Sequence, residues 1–230
     1  MDGDKSGSAG GEAETPSETR YARCNMENEE FTHRREFFIR SVKAVVAFAV
    51  GGTAFNAAAG PQEMIPPEMM IFPDDGVIPN SRYPLLLFRN ALQNSATISG
   101  SEVRNLFAAN NWSNSWQNGV YPFHHYHSTS HEVLGIFGGS ASLRLGGEQG
   151  KTVEVRSGDV IVIPAGVGHK NLGASADFRV VGAYPDGRSW DLLTGKPGER
   201  PKADQNIAAL PVPGTNPVYG AGLPVRQFWS

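Results

Sequence analysis

From Val120 onward the chain is a succession of short runs rich in β-branched and apolar residues, each cut off by glycine: Gly138-Gly139, Gly146-Gly147, Gly150, Gly158-Asp159 and Gly166. Runs of that length leave no room for long helices, and turns at that spacing fold the chain back on itself, the pattern of a β-barrel or sandwich. The 27 Gly and 16 Pro among 230 residues act in the same direction, because both break helices and build turns. The expected fold class is therefore all-β, in a single domain.

Upstream of Val120 the signals differ. Pro66-Pro67 and Pro73 mark extended chain, and Tyr83 to Phe88 reads as a short apolar strand. Ser99-Gly100-Ser101-Glu102 has the capping-box form, with Val103, Leu106 and Phe107 at helical spacing behind it, which predicts one short helix of about three turns towards Asn110. After Lys196 prolines recur, yet Val218, Tyr219, Leu223, Val225, Phe228 and Trp229 are too apolar for a free tail, and an extended C-terminal strap across the domain is expected.

The formal net charge of -3 shows no basic excess, so the chain lacks the electrostatic footprint of a nucleic-acid binder. Its one cysteine, Cys24, cannot pair within the chain, which removes a disulfide framework and a thiolate cluster. Any metal must be held by nitrogen and oxygen.

Histidine supplies the nitrogen. Apart from His33, every histidine falls between positions 124 and 169. On a strand, residues two apart share a face, so His125 and His127 project together while His124 and Tyr126 point away. A turn through Ser128 to Ser130 then returns Glu132 to the same spot, and a later hairpin delivers His169. Three imidazoles and a carboxylate suit Mn, Fe, Co, Ni, Cu or Zn. His131 rivals Glu132 as a ligand, but alternation puts it on the opposite face, beside the ligands or at the surface; His124 is read as packed outside the barrel or at a dimer contact. Trp112, Trp116 and Tyr126 are either core or the lining of a sugar pocket. Tyr121 and Phe123 share the parity of His125 and face the pocket if the strand reaches back that far.

Gly119, His125, His127, Glu132 and Gly139 stand at the spacing of the first cupin motif, and Gly158, Pro164, Gly166 and His169 at that of the second. The Asn that usually closes the second motif is Gly173 here. The stretches Trp116-Gln117-Asn118-Gly119-Val120-Tyr121-Pro122, His131-Glu132-Val133-Leu134-Gly135 and Gly182-Ala183-Tyr184-Pro185 resemble the YjlB-like group of cupins, over most of the chain from Glu68 to Trp229. The resemblance implies a double-stranded β-helix, or jelly-roll barrel, spanning residues 60–230 with its core at about 119–185. It implies one divalent metal ion held by His125, His127, Glu132 and His169, and a small-molecule ligand; a homodimer is compatible with it, and Mn or Fe is favoured if the ion is loaded before export. Two functions follow as expectations: a metal-dependent oxidoreductase, dioxygenase-like, or else an isomerase; or a non-catalytic periplasmic cupin that binds a carbohydrate or carboxylate around a structural ion.

Residues 1–30 are polar and expected to be disordered, or untranslated if Met26 is the start. Residues 31–59 run basic, apolar, small: Arg34-Arg35-Glu36-Phe37-Phe38, then Ala44 to Phe55, then Ala57-Ala58-Ala59. This order resembles a twin-arginine signal, and implies recognition by the twin-arginine export machinery, cleavage after Ala59 and a bacterial periplasmic location.

Overall fold

Two stretches are apolar at every position, Leu85-Leu86-Leu87-Phe88 and Val160-Ile161-Val162-Ile163, and both are strands whose residues are all buried. A strand without a polar face needs cover on both sides, and that requirement organises the molecule. The computed structural model describes residues 64–230; the expectations about residues 1–59, including the twin-arginine segment and Cys24, lie outside the described residues. Numbered along the chain, an antiparallel six-stranded sheet has the spatial order β1 (Glu68–Met70), β2 (Leu85–Phe88), β7 (Val160–Ile163), β4 (Glu132–Gly138), β9 (Arg179–Pro185), β3 (Trp112–Asn118). A three-stranded sheet has the order β6 (Lys151–Arg156), β5 (Ser140–Leu145), β8 (His169–Ala174). The all-β expectation holds.

Alternation sorts the side chains of the large sheet. Leu85, Leu87, Leu134, Ile136, Ile161 and Ile163 pack with Ala141, Leu143 and Leu145 of the small sheet in one core. Leu86, Phe88, Val133, Val160, Val162 and Val181 belong to a second core, completed by helix α1 (Gly100–Ala109) and the C-terminal segment. Register keeps the sets apart, since Leu86 pairs with Val162 and Leu87 with Ile161. Helix α1 begins as predicted: Glu102 donates its backbone N–H to Ser99 Oγ, and Ser99 donates its own to Glu102 Oε2 at 2.8 Å. It seats closely because β4 carries Gly135 beneath it, where a Cβ would stand 2.7 Å from the Phe107 ring.

The C-terminal strap is real: Val218, Leu223, Val225 and Trp229 are buried in the second core. Fully burying each such side chain stabilises by roughly 1.5–3 kcal/mol, enough to hold a segment with little regular structure. The strap is not extended throughout, however. It carries helix α2 (Lys202–Ala209) and a 3-10 turn at Val225–Gln227. Helix α2 escapes a reading by periodicity because Ala203 is its one buried residue; an Arg200 to Asp204 ion pair at 2.9 Å spans its first turn.

The barrel also draws in more chain than residues 119–185. Strand β3, on the sheet edge, has no β-branched residue, places Asn114 at φ 55 and shifts register between Ser113 and Trp116. Those irregularities hide it from an alternation test.

Candidate metal centre

The residues singled out by spacing meet at one end of the space between the sheets. Glu132 opens β4 and His169 opens β8. His125 lies in no long strand; it forms a single two-way backbone bridge with His169, N–H to carbonyl at 3.2 and 3.0 Å. Tyr126 bridges Leu193 in the same way. The alternation inferred for residues 124–127 holds even though the ladder is only these bridges. The Pro164-Ala165-Gly166 turn clamps the neighbouring segment: Gly166 donates its N–H to the His127 carbonyl at 2.8 Å, and Ala165 donates its own to His131 Nδ1 at 2.9 Å. The two motifs are thus one hydrogen-bonded unit.

One ring nitrogen each from His125, His127 and His169 lies within 4.8 Å of the others, and all three residues are buried. Each imidazole has its other nitrogen against a backbone carbonyl: His125 Nδ1 on Phe123, His169 Nδ1 on Val167, both at 3.2 Å, and His127 Nδ1 on Asp191. A carbonyl only accepts, so Nδ1 carries the proton and Nε2 is left as a lone pair. Glu132 flanks the trio, with Oε2 at 3.3 Å from His169 Nε2 and 3.5 Å from His127 Nε2. That oxygen is buried and accepts no hydrogen bond. Its partner Oε1 receives the Tyr184 hydroxyl at 2.9 Å, and Tyr184 in turn accepts from Trp116 Nε1 at 2.7 Å.

The electrostatics follow from burial and proximity. Burial, with His169 beside it, takes His125 down to about 3. Burial alone would lower His127 as well, but the Glu132 carboxylate raises it. Glu132, which burial would raise, is held well below the ordinary carboxylate range by His127 and His169. A proton on His127 answers one of the converging lone pairs; a divalent cation answers all of them. The donor set fits a metal, because buried acceptors that face one another without a donor are costly unless a cation lies between them.

A cavity of about 390 Å³ opens from this cluster toward solvent, past Tyr121 and Trp190. Trp116 lies over Gly182, where a Cβ would come within 2.1 Å of the indole, so only glycine lets that ring form the wall. Tyr121 stacks on Phe123 and meets His125 edge-on at 5.1 Å. Trp112 and Tyr126 are buried core. His124 turns away, with Nε2 3.2 Å from Glu148. His131 does face away from the cluster, as alternation requires, but it is no surface residue: it is 2% exposed beneath Trp229, their rings 4.8 Å apart. The strap that covers it was too irregular to be placed over β4 from the sequence.

Three contributors escaped the spacing argument. Asp191 receives the His127 ring proton on its carbonyl and caps Ser128 and Thr129 with its carboxylate, Ser128 N–H at 2.6 Å and Thr129 N–H at 3.1 Å. Trp190 packs on His127 with centroids 5.0 Å apart. Both lie in the stretch after β9, where no motif signals them. Tyr184 had a signal, since alternation on β9 places it on the face of Val180, toward the site.

The sheet order and the joined motifs define a cupin with a buried three-histidine site that could hold a metal ion. No known family model matches the chain. It is 44% identical over 159 residues to the uncharacterized protein YjlB of Bacillus subtilis (strain 168), across 69% of this chain and 93% of that one. The chain belongs to the YjlB family. Solved structures similar to it in part include acireductone dioxygenase from Bacillus anthracis, at TM-score 0.29 and 16% identity over 48% of this chain and 78% of that one. Bacillus subtilis oxalate decarboxylase gives 0.30 and 17% over 56% and 30%.

Proposed function

We propose that the protein is a metal-dependent enzyme in which His125, His127, His169 and Glu132 hold one divalent ion and a small hydroxylated or dicarbonyl compound enters through the aromatic-lined cavity. The observation that carries this reading is the convergence of three imidazole lone pairs and a buried carboxylate oxygen, Glu132 Oε2, within 3.5 Å of two of the rings on one spot. Such an ion supplies Lewis acidity toward an oxygen-bearing substrate and, if redox-active, a path for electrons to dioxygen. The chain's own residues set the conditions. Backbone carbonyls fix the three ring orientations, Tyr184 holds its proton toward Glu132, and Trp190 and Tyr121 narrow the access of water. An open cavity of about 390 Å³ supports an enzyme over a closed structural site. The reaction class proposed is oxidoreductase, dioxygenase-like. Metal analysis of the purified protein, followed by a screen for substrate-dependent oxygen uptake, tests it; an ion-free protein that takes up none refutes the ion, and a metal-loaded protein inert to every oxygen donor refutes the reaction.

Export belongs to the same proposal. A protein that folds before crossing the membrane takes its ion in the cytoplasm, where Cu and Zn are scarce, and this favours Mn or Fe over the stronger binders of the Irving–Williams series. Its support is Arg34-Arg35 and the residues that follow them. Replacing both arginines with lysine should leave folded, metal-loaded protein in the cytoplasm; an unchanged periplasmic yield would contradict it.

A further inference from the structure

The walls of the cavity say more about what enters than the ion site does. Four aromatic rings line it, those of Trp116, Tyr121, Tyr184 and Trp190, and among the described lining residues there is no Lys or Arg. Trp190 and Tyr184 stack at 5.7 Å with planes 26° apart, and Trp190 is 37% exposed, so part of the indole remains free. Tyr121 stands on the His125 side, also part-exposed.

The polar side-chain inventory is short. The Tyr184 hydroxyl is committed as donor to Glu132 and as acceptor from Trp116. Gln117 places its amide against Gly100 at the start of α1, where a Cβ would come within 2.6 Å of Oε1. The Asn118 carbonyl oxygen is used by the Gly119 N–H at 2.9 Å. Beyond the ion-site residues, the Asn118 amide nitrogen, the Tyr121 hydroxyl and the Trp190 indole N–H are left for a ligand.

We infer that the cavity takes a planar, weakly charged compound, aromatic or enolic, with adjacent oxygen donors on one edge, and rejects dicarboxylates, phosphates and sugars. The inference rests on the metal reading above for the edge that meets the ion, and on the walls for the rest. A sugar would bury several hydroxyls against three side-chain partners, and every hydroxyl left unpaired weakens its binding. A dicarboxylate or phosphate would bring a second negative charge into a space whose cation is already partly offset by Glu132, with no guanidinium or ammonium lining the cavity to meet it. A flat ring needs neither; it needs faces, and the rings of Trp190 and Tyr121 supply them.

The test uses the full protein after its metal content has been measured, with tropolone as the planar, singly charged probe, followed by tryptophan quenching and by its near-ultraviolet absorbance, against malonate, inorganic phosphate and glucose as competitors. The probe should bind at least about 100-fold more tightly than each competitor, and Trp190→Ala should weaken it about tenfold when the variants are compared at equal metal occupancy. Trp190→Leu, which keeps apolar volume but no ring, should lose a similar factor. Displacement by malonate, phosphate or glucose at concentrations comparable with the probe would overturn the inference, as would full probe affinity in both Trp190 variants. The two readings fail separately: a protein that takes up no metal ends the metal reading, whereas quenching and competition still decide the cavity's preference.

Discussion

Glu132 and His131 are neighbours in the chain, each 2% exposed, on opposite faces of the large sheet, and their surroundings could hardly differ more. On the inner face a buried carboxylate oxygen joins three imidazole lone pairs. On the outer face His131 Nδ1 accepts the Ala165 N–H, which leaves the ring proton on Nε2. That Nε2 makes no close hydrogen bond and has only the Pro211 backbone toward it, and burial takes the residue down to about 4, so it stays neutral. One face concentrates acceptors that call for a cation; the other isolates a single donor under an indole. Burial of a polar residue therefore does not mark a site. The sign and number of unmet groups at one point do.

Substitutions can break or sharpen this contrast. The largest effect is expected on the inner face: His125→Ala, His127→Ala and His169→Ala should each abolish stoichiometric metal, measured by mass spectrometry of the purified protein. Glu132→Gln should come next, with a loss of about 100-fold in affinity in competition with a chelator. An affinity equal to wild type in Glu132→Gln would remove the carboxylate from the ligand set. Tyr184→Phe removes the hydroxyl that joins Trp116 to Glu132 while leaving all four ion-site residues in place, and should cost about tenfold, with the fold retained by circular dichroism. The smallest effect on metal belongs to the outer face. His131→Ala should keep its ion and instead lose about 2–4 kcal/mol of stability in urea, through the cavity left beneath Trp229. Metal loss in His131→Ala without loss of stability would erase the distinction between the faces.

How far the sequence carries depends on how local the cause is. The cluster was readable because each of its residues follows from short-range rules: two-residue alternation for His125 and His127, and fixed motif spacing for Glu132 and His169. Helix α1 was readable because its capping box and apolar spacing lie within ten residues. Strand β3 was not, because its left-handed Asn114 and register shift break the pattern that announces a strand. Asp191 and Trp190 were not either, since their importance comes from a loop that returns to His127 across more than sixty residues. His131 was sent to the correct face but not to its burial, because the cover over it is supplied by Trp229, almost a hundred positions later.

X-ray absorption at the metal edge tests the central claim most directly, on protein isolated without added metal and on the His131→Ala and Glu132→Gln variants. One ion per chain is expected, with three imidazole nitrogens and at least one oxygen at about 2.0–2.2 Å. That pattern should be unchanged in His131→Ala and lose an oxygen in Glu132→Gln. A fourth imidazole that disappears with His131, or an ion whose spectrum is indifferent to both substitutions, would contradict the account.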